Sequence, residues 1–213
     1  MATEARGPGA SRVAPPAERE ATTTPGPQTS GFTPADPGPL GLAGFALTTF
    51  VLSMFNANLV NPSSEAVVFG LALFYGGAAQ LLAGMWEFRT GNTFGAVAFT
   101  SYGAFWLSFW ALNQFYAKDA TASGIGLYLI AWGIFTAYMF VASLRTTAAI
   151  AVVFALLTAT YIVLGIEITN GSSTKAGGWL GIVTAGAAWY ASFAAVANST
   201  FKRTILPVVP LSR

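Results

Sequence analysis

The chain has 213 residues, of which 54% are hydrophobic and only 8% are charged. Soluble domains carry about 25% charged residues, so this composition predicts a protein surrounded largely by lipid and excludes an ordinary soluble enzyme. The net charge of +2 is too small to predict nucleic-acid binding. The sequence has no cysteine and no histidine, which excludes disulfides, thiolate metal sites and histidine-based catalysis. We therefore expect no cofactor, no metal and no enzymatic activity.

The first 35 residues differ in composition from the rest of the chain. They are rich in Pro, Gly, Ala, Ser and Thr and contain almost no large apolar side chains. Such a segment buries too little surface to offset the entropy lost on ordering, so residues 1–35 are predicted to form a disordered cytoplasmic tail. They also lack the basic start and early apolar run of a cleavable signal peptide.

Six apolar runs follow, separated by short polar breaks. Each has about the 20 residues that a helix needs to cross a hydrocarbon core of roughly 30 Å, and none shows the strict alternation of a lipid-embedded barrel strand. The predicted fold class is therefore all-α, a polytopic membrane protein with six transmembrane helices within residues 36–198 and a short basic tail at 199–213. The predicted spans are about 40–59, 66–88, 94–112, 125–144, 148–168 and 178–197.

Basic residues near the ends of the spans predict the orientation. With the N terminus inside, only Lys118 and Lys175 of the ten basic residues lie outside, which agrees with the excess of Lys and Arg in cytoplasmic loops. An even number of spans then places the C terminus inside as well. The eight residues on the cytoplasmic side are Arg6, Arg12, Arg19, Arg89, Arg145, Lys202, Arg203 and Arg213.

Several predicted spans have one face that is smaller or more polar than the rest. Small residues at helical spacing are typical of helix packing, whereas a buried amide or carboxylate needs a partner or water. For Asn56, Gln80 and Glu87, packing and a lined pathway therefore both remain open, and Glu87 has a third interpretation as an ion pair with Arg89. The faces are Phe45, Thr49, Leu52 and Asn56; Gly76, Gln80, Gly84 and Glu87; Ala98, Tyr102, Phe105 and Phe109; and Gly177, Gly181, Thr184 and Ala188.

The segment before the first span contains Asp36 and two prolines. The prolines disfavour helix before the span, and Pro39 suits its first turn. Asp36 stands near the free amides of the helix start, where a carboxylate is favourable. This pattern is consistent with simple helix initiation, or with a helix that begins inside the membrane and directs its positive end at an anion.

Three stretches of the chain are similar to motifs of one transporter family. Residues 39–45 resemble the Asn-Pro-Ala-Pro-Leu-Gly-Leu signature of the acetate uptake transporters, the succinate–acetate permeases. Residues 74–87, with Phe-Tyr-Gly-Gly followed by Gln80 and Glu87, form the second stretch. Residues 91–106, with Thr-Ser-Tyr-Gly at 100–103, form the third. The similarity covers about residues 36–210.

The resemblance implies a six-helix protomer in a homo-oligomer, commonly a hexamer, with a separate pathway in each subunit and a place in the cell membrane, here a bacterial plasma membrane. The cargo would be acetate foremost, other small monocarboxylates, and succinate in some members, moved with protons or as through an anion channel. The family's hydrophobic constriction corresponds to Phe45, Tyr102 and Leu157 (with Leu156 as the neighbouring alternative), and its control of cargo size to Ala188. The predicted substrate pathway comprises Asp36, Pro39, Leu40, Gly41, Leu42, Thr49, Asn56, Gln80, Glu87, Thr100, Ser101 and Ala188.

Asp36 departs from the family pattern, which has asparagine at this position. An ionised carboxylate only accepts hydrogen bonds and repels an anion, whereas an amide can donate to one. Three alternatives remain open: the helix amides neutralise Asp36, Asp36 carries a proton that accompanies the cargo, or the cargo differs. The competing prediction for the whole chain is a membrane-embedded carboxylate sensor or structural oligomer that conducts nothing.

Overall fold

The apolar runs form long helices in the computed structural model, which describes residue 32 and residues 34–211. The predicted disordered tail lies outside the described residues except at positions 32, 34 and 35, and Arg213 also lies outside them. Within the described part of the chain there is no β-strand, only an isolated antiparallel bridge between Thr147 and Pro210, so the all-α prediction is confirmed. The helices are α1, Gly38–Asn56; α2, Val67–Thr90; α3, Thr93–Ala111; α4, Ala122–Ser143; α5, Ala148–Thr169; and α6, Lys175–Phe201.

Five of these helices, all except α3, are long and apolar enough to cross a membrane. The helix α3 is less apolar because Thr100, Ser101, Tyr102 and Ser108 lie within it. Its role as a sixth span therefore stays a prediction. The observed helix ends lie within four residues of the predicted spans. The largest difference is at α6, which continues to Phe201, into the predicted C-terminal tail.

Local sequence explains where the helices begin and end. Gly91 has a φ of 79°, a left-handed conformation that glycine adopts without strain, and it ends α2. The Asn92 side chain then accepts a hydrogen bond of 3.1 Å from the Gly95 amide and begins α3. Thr147 accepts one of 3.3 Å from the Ile150 amide and begins α5. These caps satisfy amides that have no partner within their own helix.

The helix α2 contains a π-helical stretch, Phe74–Ala79, at its middle. Two of its glycines, Gly76 and Gly77, are buried, and a Cβ added at Gly76 would lie 2.6 Å from the Thr48 hydroxyl oxygen of α1. The wider turn ends directly before Gln80, whose side chain is directed into the bundle and is 1% exposed. Such π turns occur frequently at functional sites of helices.

The helices form a ring around an aromatic interior. α1 packs against α2 and α6, α2 packs against α3, and α4, α5 and α6 pack in chain order. The backbones of α3 and α4 stay further apart, because large side chains fill the space between them. Phe105 stacks on Tyr128 with ring centroids 5.7 Å apart, and Tyr102 lies 6.2 Å from Trp132. These rings close the circle of helices.

After α6 the chain turns back across the bundle. The Asn198 side-chain amide donates to the Leu206 carbonyl at 2.9 Å, and its oxygen accepts from the amides of Ile205 and Leu206 at 2.6 and 3.0 Å. The Ala148 amide then donates to the Val209 carbonyl at 2.8 Å. The C-terminal segment is therefore held against the turn between α4 and α5, where the sequence predicts only a basic tail.

Candidate functional site

Two cavities of similar volume enter the helix ring. The first cavity, about 320 Å³, is lined by the C-terminal halves of α1, α3 and α5. The second cavity, about 330 Å³, is lined by the N-terminal ends of the same three helices and by the C-terminal part of α6. Since α1, α3 and α5 all run from the second cavity to the first, the two cavities open at opposite ends of the bundle.

A gap of only about 20 Å³ lies between the two cavities. Phe45 and Leu157 line both the gap and the first cavity, whereas Leu42 and Phe99 line both the gap and the second cavity. The three spaces therefore follow one another through the protein. A volume of this size holds about one water molecule, which makes the gap the narrowest point of the series.

The residues of the predicted constriction meet at this gap. Phe45, Tyr102 and Leu157 are each at most 4% exposed and all line it. The rings of Phe45 and Tyr102 are 5.9 Å apart, and the Tyr102 hydroxyl donates to Thr136 at 3.0 Å. Leu157 lines the gap, whereas Leu156 is half-buried outside it. The side chains thus form an apolar ring with one phenol whose hydroxyl is already bonded.

Four buried polar atoms have no hydrogen-bond partner in the described part of the chain. They are the side-chain oxygens of Thr49, Gln80 and Thr100 and the indole nitrogen of Trp106. Gln80 lines the gap, and Thr49 and Trp106 line the first cavity. Buried polar groups are normally hydrogen-bonded, and leaving one unpaired costs about 1–3 kcal/mol. Three of the four atoms thus belong to residues that line the first cavity or the gap.

Asp36 and Glu87 both line the second cavity. Asp36 accepts a hydrogen bond of 2.9 Å from the Gly38 amide at the start of α1. The Glu87 carboxylate is buried and accepts from the Thr90 hydroxyl at 3.1 Å. Arg89 is exposed at the end of α2. The structure therefore favours the interpretation of Glu87 as part of the cavity wall over its interpretation as the partner of Arg89 in an ion pair.

Three further residues of the predicted pathway also face the cavities. Asn56 lines the first cavity, and Pro39 and Leu42 line the second. The Pro39 carbonyl accepts a hydrogen bond of 2.7 Å from Ser192, which joins the start of α1 to α6.

Five other predicted pathway residues lie outside the walls of the two cavities and the gap. Leu40 and Thr100 are each two positions from a cavity-lining residue, Leu42 and Tyr102, and two positions rotate a helix by roughly 200°. Leu40 is consequently 46% exposed. The five are Leu40; Gly41, which packs on the Phe99 ring; Thr100, which packs against Gly84; Ser101, half-buried; and Ala188, fully buried in the core.

The structure adds cavity residues that the sequence does not single out. Trp106 and Ser53 are four positions after Tyr102 and Thr49, so helical spacing is a signal that could have found them. Glu65 lies between α1 and α2, and Asn198 is on the last turns of α6. No pattern in the sequence places either of these in a cavity, because each reaches it through tertiary packing.

Comparisons with known proteins give the chain its family. Residues 20–213 match the model of the GPR1/FUN34/yaaH family. The chain is 38% identical over 180 residues to the succinate-acetate/proton symporter SatP of Escherichia coli, covering 82% of this chain and 95% of SatP. It is 40% identical to acetate permease A of Emericella nidulans and 44% identical to ammonia transport outward protein 2 of Saccharomyces cerevisiae. These matches cover 82% and 77% of this chain but only 65% and 62% of the fungal proteins.

The fold also matches a solved structure, that of the bacterial acetate channel SatP. The TM-score is 0.79 at 36% identity, over 83% of this chain and 99% of that chain. The resemblance to acetate transporters and the prediction of a multi-pass membrane protein are thereby confirmed. The chain belongs to the GPR1/FUN34/yaaH family.

Proposed function

We propose that the protein moves acetate and similar small monocarboxylates, with succinate as a further candidate, across the membrane. The observation that carries this proposal is the series of two cavities and a gap of about 20 Å³ lined by Gln80, whose side-chain oxygen has no hydrogen-bond partner among the described residues. An amide offers both donors and an acceptor to a carboxyl group that passes it. The relatives named acetate permease and succinate-acetate/proton symporter support the same cargo.

The gap works as a hydrophobic barrier in this proposal. Acetate is larger than the single water that such a volume admits, so Phe45, Tyr102 or Leu157 must move before it passes. A constriction lined by apolar groups also excludes water, which keeps the pathway closed between transport events. Gln80 replaces part of the hydration that the anion loses there. The chain's own groups thus supply binding and gating, and no enzymatic step is required.

We also propose α3 as the sixth span, with both termini in the cytoplasm. The Tyr102 side chain of α3 faces the ring interior and Thr100 faces α2, so these polar groups avoid lipid. Arg89, Arg145 and Lys202 lie at helix ends near the second cavity, which supports a cytoplasmic position for that cavity. The resemblance to acetate transporters supports a homo-oligomer, with a hexamer as the expected form.

The proposed function is tested by flux of radiolabelled acetate into liposomes that contain the purified protein. We expect uptake above that of empty vesicles, faster with an inward proton gradient and reduced by excess unlabelled propionate. Equal uptake in both preparations contradicts transport. Acetate binding without flux would support the sensor instead, and flux of radiolabelled methylammonium without flux of acetate would point to the cargo named for the yeast relative.

Glu65 makes acetate entry from the first cavity depend on pH. Its side chain lines this cavity, and burial raises the pKa of its carboxyl above the usual value. The ionised carboxylate of Glu65 repels an incoming acetate anion, whereas the protonated form does not. Acetate flux is therefore expected to rise as the pH falls through the raised pKa of Glu65, and to stay low at higher pH. We expect Glu65→Gln to raise flux at neutral pH by roughly threefold, since a half-exposed charge acts with under about 1 kcal/mol.

The measurement for Glu65 is uptake between pH 5 and pH 7.5 at a constant concentration of acetate anion. Asp119→Asn is the matched control, because Asp119 is an exposed carboxylate close in sequence to Ala117 and Ala120, which line the same cavity. An unchanged pH profile in Glu65→Gln would show that this carboxylate does not face the anion.

A further inference from the structure

We infer that the inner end of the first cavity is a carboxylate-binding subsite whose two donors are the Thr49 hydroxyl and the Trp106 indole N–H. This inference rests on the proposed function, because it states where and how the cargo is held before it reaches the gap. It also assigns a role to Trp106, which is not among the residues of the predicted pathway.

The positions of the two residues follow from the helix register. Thr49 is four residues after Phe45 on α1, and Trp106 is four residues after Tyr102 on α3. Four residues are about one helical turn, and both helices run toward the first cavity. Because the Phe45 and Tyr102 rings are 5.9 Å apart at the gap, Thr49 and Trp106 occupy the next turn of the same two faces. Both line the first cavity.

The hydroxyl of Thr49 is unusual among the buried threonines of this bundle. Thr48 donates to the Gly44 carbonyl at 2.8 Å, and Thr160 donates to the Leu156 carbonyl at the same distance. Such bonds to the preceding turn are the common way to satisfy threonine within a helix. Thr49 is 6% exposed, yet its hydroxyl has no partner among the described residues. Thr49 thus places a buried hydroxyl without a partner at the wall of the first cavity.

The indole of Trp106 is in a similar position. It is 2% exposed, and its nitrogen has no acceptor in the described part of the chain. Its aromatic neighbours Phe105 and Phe109, with centroids 5.1 and 5.9 Å away, offer apolar rings. An indole N–H only donates, so a ligand must supply the acceptor.

Two neutral donors in an apolar cavity select a small monocarboxylate. The two oxygens of a carboxylate accept one hydrogen bond each, and a short alkyl group finds apolar walls such as Leu52 and Leu164. Ammonium has no lone pair and cannot accept from Trp106, so the subsite disfavours it. The second charge of a dicarboxylate meets either apolar walls or the carboxyl of Glu65. The arrangement therefore favours acetate over succinate and over ammonium.

The experiment compares Trp106→Phe and Thr49→Val with the full-length wild type. Thr49→Val keeps the shape of the side chain and removes the hydroxyl donor. Trp106→Phe keeps an aromatic ring but removes the indole N–H together with part of the ring system. We expect each to raise the KM for acetate uptake and the Kd for acetate in detergent about tenfold, with a maximal rate within about twofold of wild type, in line with the loss of one hydrogen bond to a charged group. Thr49→Ser keeps a hydroxyl and is expected to retain the wild-type KM.

Two control variants test for unspecific effects. Thr48→Val is the control for Thr49→Val, because Thr48 is the adjacent residue and its hydroxyl donates to the Gly44 carbonyl. Trp110→Phe is the control for Trp106→Phe, because Trp110 lies one helical turn further along α3. Neither side chain lines a cavity wall, so both variants should keep the KM for acetate. A purely structural role of Trp106 would instead lower the melting temperature at constant KM.

The outcomes separate the inference from the proposed function. Acetate flux in the wild type with an unchanged KM in both donor variants overturns the subsite and leaves transport standing. Acetate binding that is lost in Trp106→Phe, in a protein without flux, supports the subsite and overturns transport. A wild type with neither binding nor flux overturns both.

Discussion

Replacing Tyr102 with alanine is expected to raise the flux of succinate relative to that of acetate about tenfold, which corresponds to a barrier lowered by about 1.4 kcal/mol for the larger anion. The Tyr102 ring forms one wall of a gap of about 20 Å³ and faces the ring of Phe45 at 5.9 Å. Removing it joins the two cavities and leaves room for a four-carbon chain. The measurement is uptake of both radiolabelled acids in liposomes, expressed as a ratio.

Two other variants make this result interpretable. Tyr102→Phe removes the hydroxyl that donates to Thr136 but keeps the ring, so we expect the wild-type ratio. Thr136 remains bonded, because its own hydroxyl donates to the Trp132 carbonyl at 2.7 Å. Tyr138→Ala removes a tyrosine that is 55% exposed on the outside of α4 and should change neither flux. An unchanged ratio in Tyr102→Ala would mean that the cargo does not pass this gap.

The positions and lengths of the helices could be predicted because the bilayer requires apolar runs of a certain length. An apolar run must be as long as the bilayer is thick, so the run lengths predict the helices of the described residues to within four positions. Helical periodicity likewise predicts that Phe45, Thr49 and Asn56 share a face, and all three line the first cavity. Both patterns depend only on neighbours along the chain.

The predicted pathway differs from the cavity walls where residues of a family motif pack between or outside the helices. Leu40 and Thr100 belong to stretches that match the family, but the first faces outward and the second packs against Gly84 of α2. A motif shows which residues occur together and does not show in which direction each side chain points. Glu65 and Asn198 lie at opposite ends of the bundle, where tertiary packing brings each of them to a cavity. No pattern of neighbouring residues in the sequence predicts these positions.

Glycine at position 178 is expected to be essential for the packing of α1 against α6. A Cβ built at Gly178 would lie 2.6 Å from the carbonyl carbon of Asn56 and 2.7 Å from the Cα of Ala57, and still closer to the Ala57 amide nitrogen. These are backbone atoms at the end of α1, which cannot rotate away as a side chain can. The Thr174 hydroxyl, which donates to the Asn56 carbonyl at 2.9 Å, further fixes this approach.

Gly178→Ala is therefore expected to lower the free energy of unfolding by about 3 kcal/mol, the upper part of the usual range for overpacking. For a chain of this length that corresponds to a melting temperature lower by roughly 6–12 °C. Tryptophan fluorescence during heating in detergent measures it, since the chain has six tryptophans.

Gly186→Ala is the matched control on the same helix, because a Cβ at Gly186 would have no atom within 4 Å. There the better helix propensity of alanine acts alone and should stabilise the protein by up to about 1 kcal/mol. Replacing glycine with alanine is therefore expected to lower the free energy of unfolding at position 178 and to raise it at position 186. A Gly178→Ala protein as stable as Gly186→Ala would show that α1 and α6 do not approach as closely as the Asn56–Gly178 contact requires.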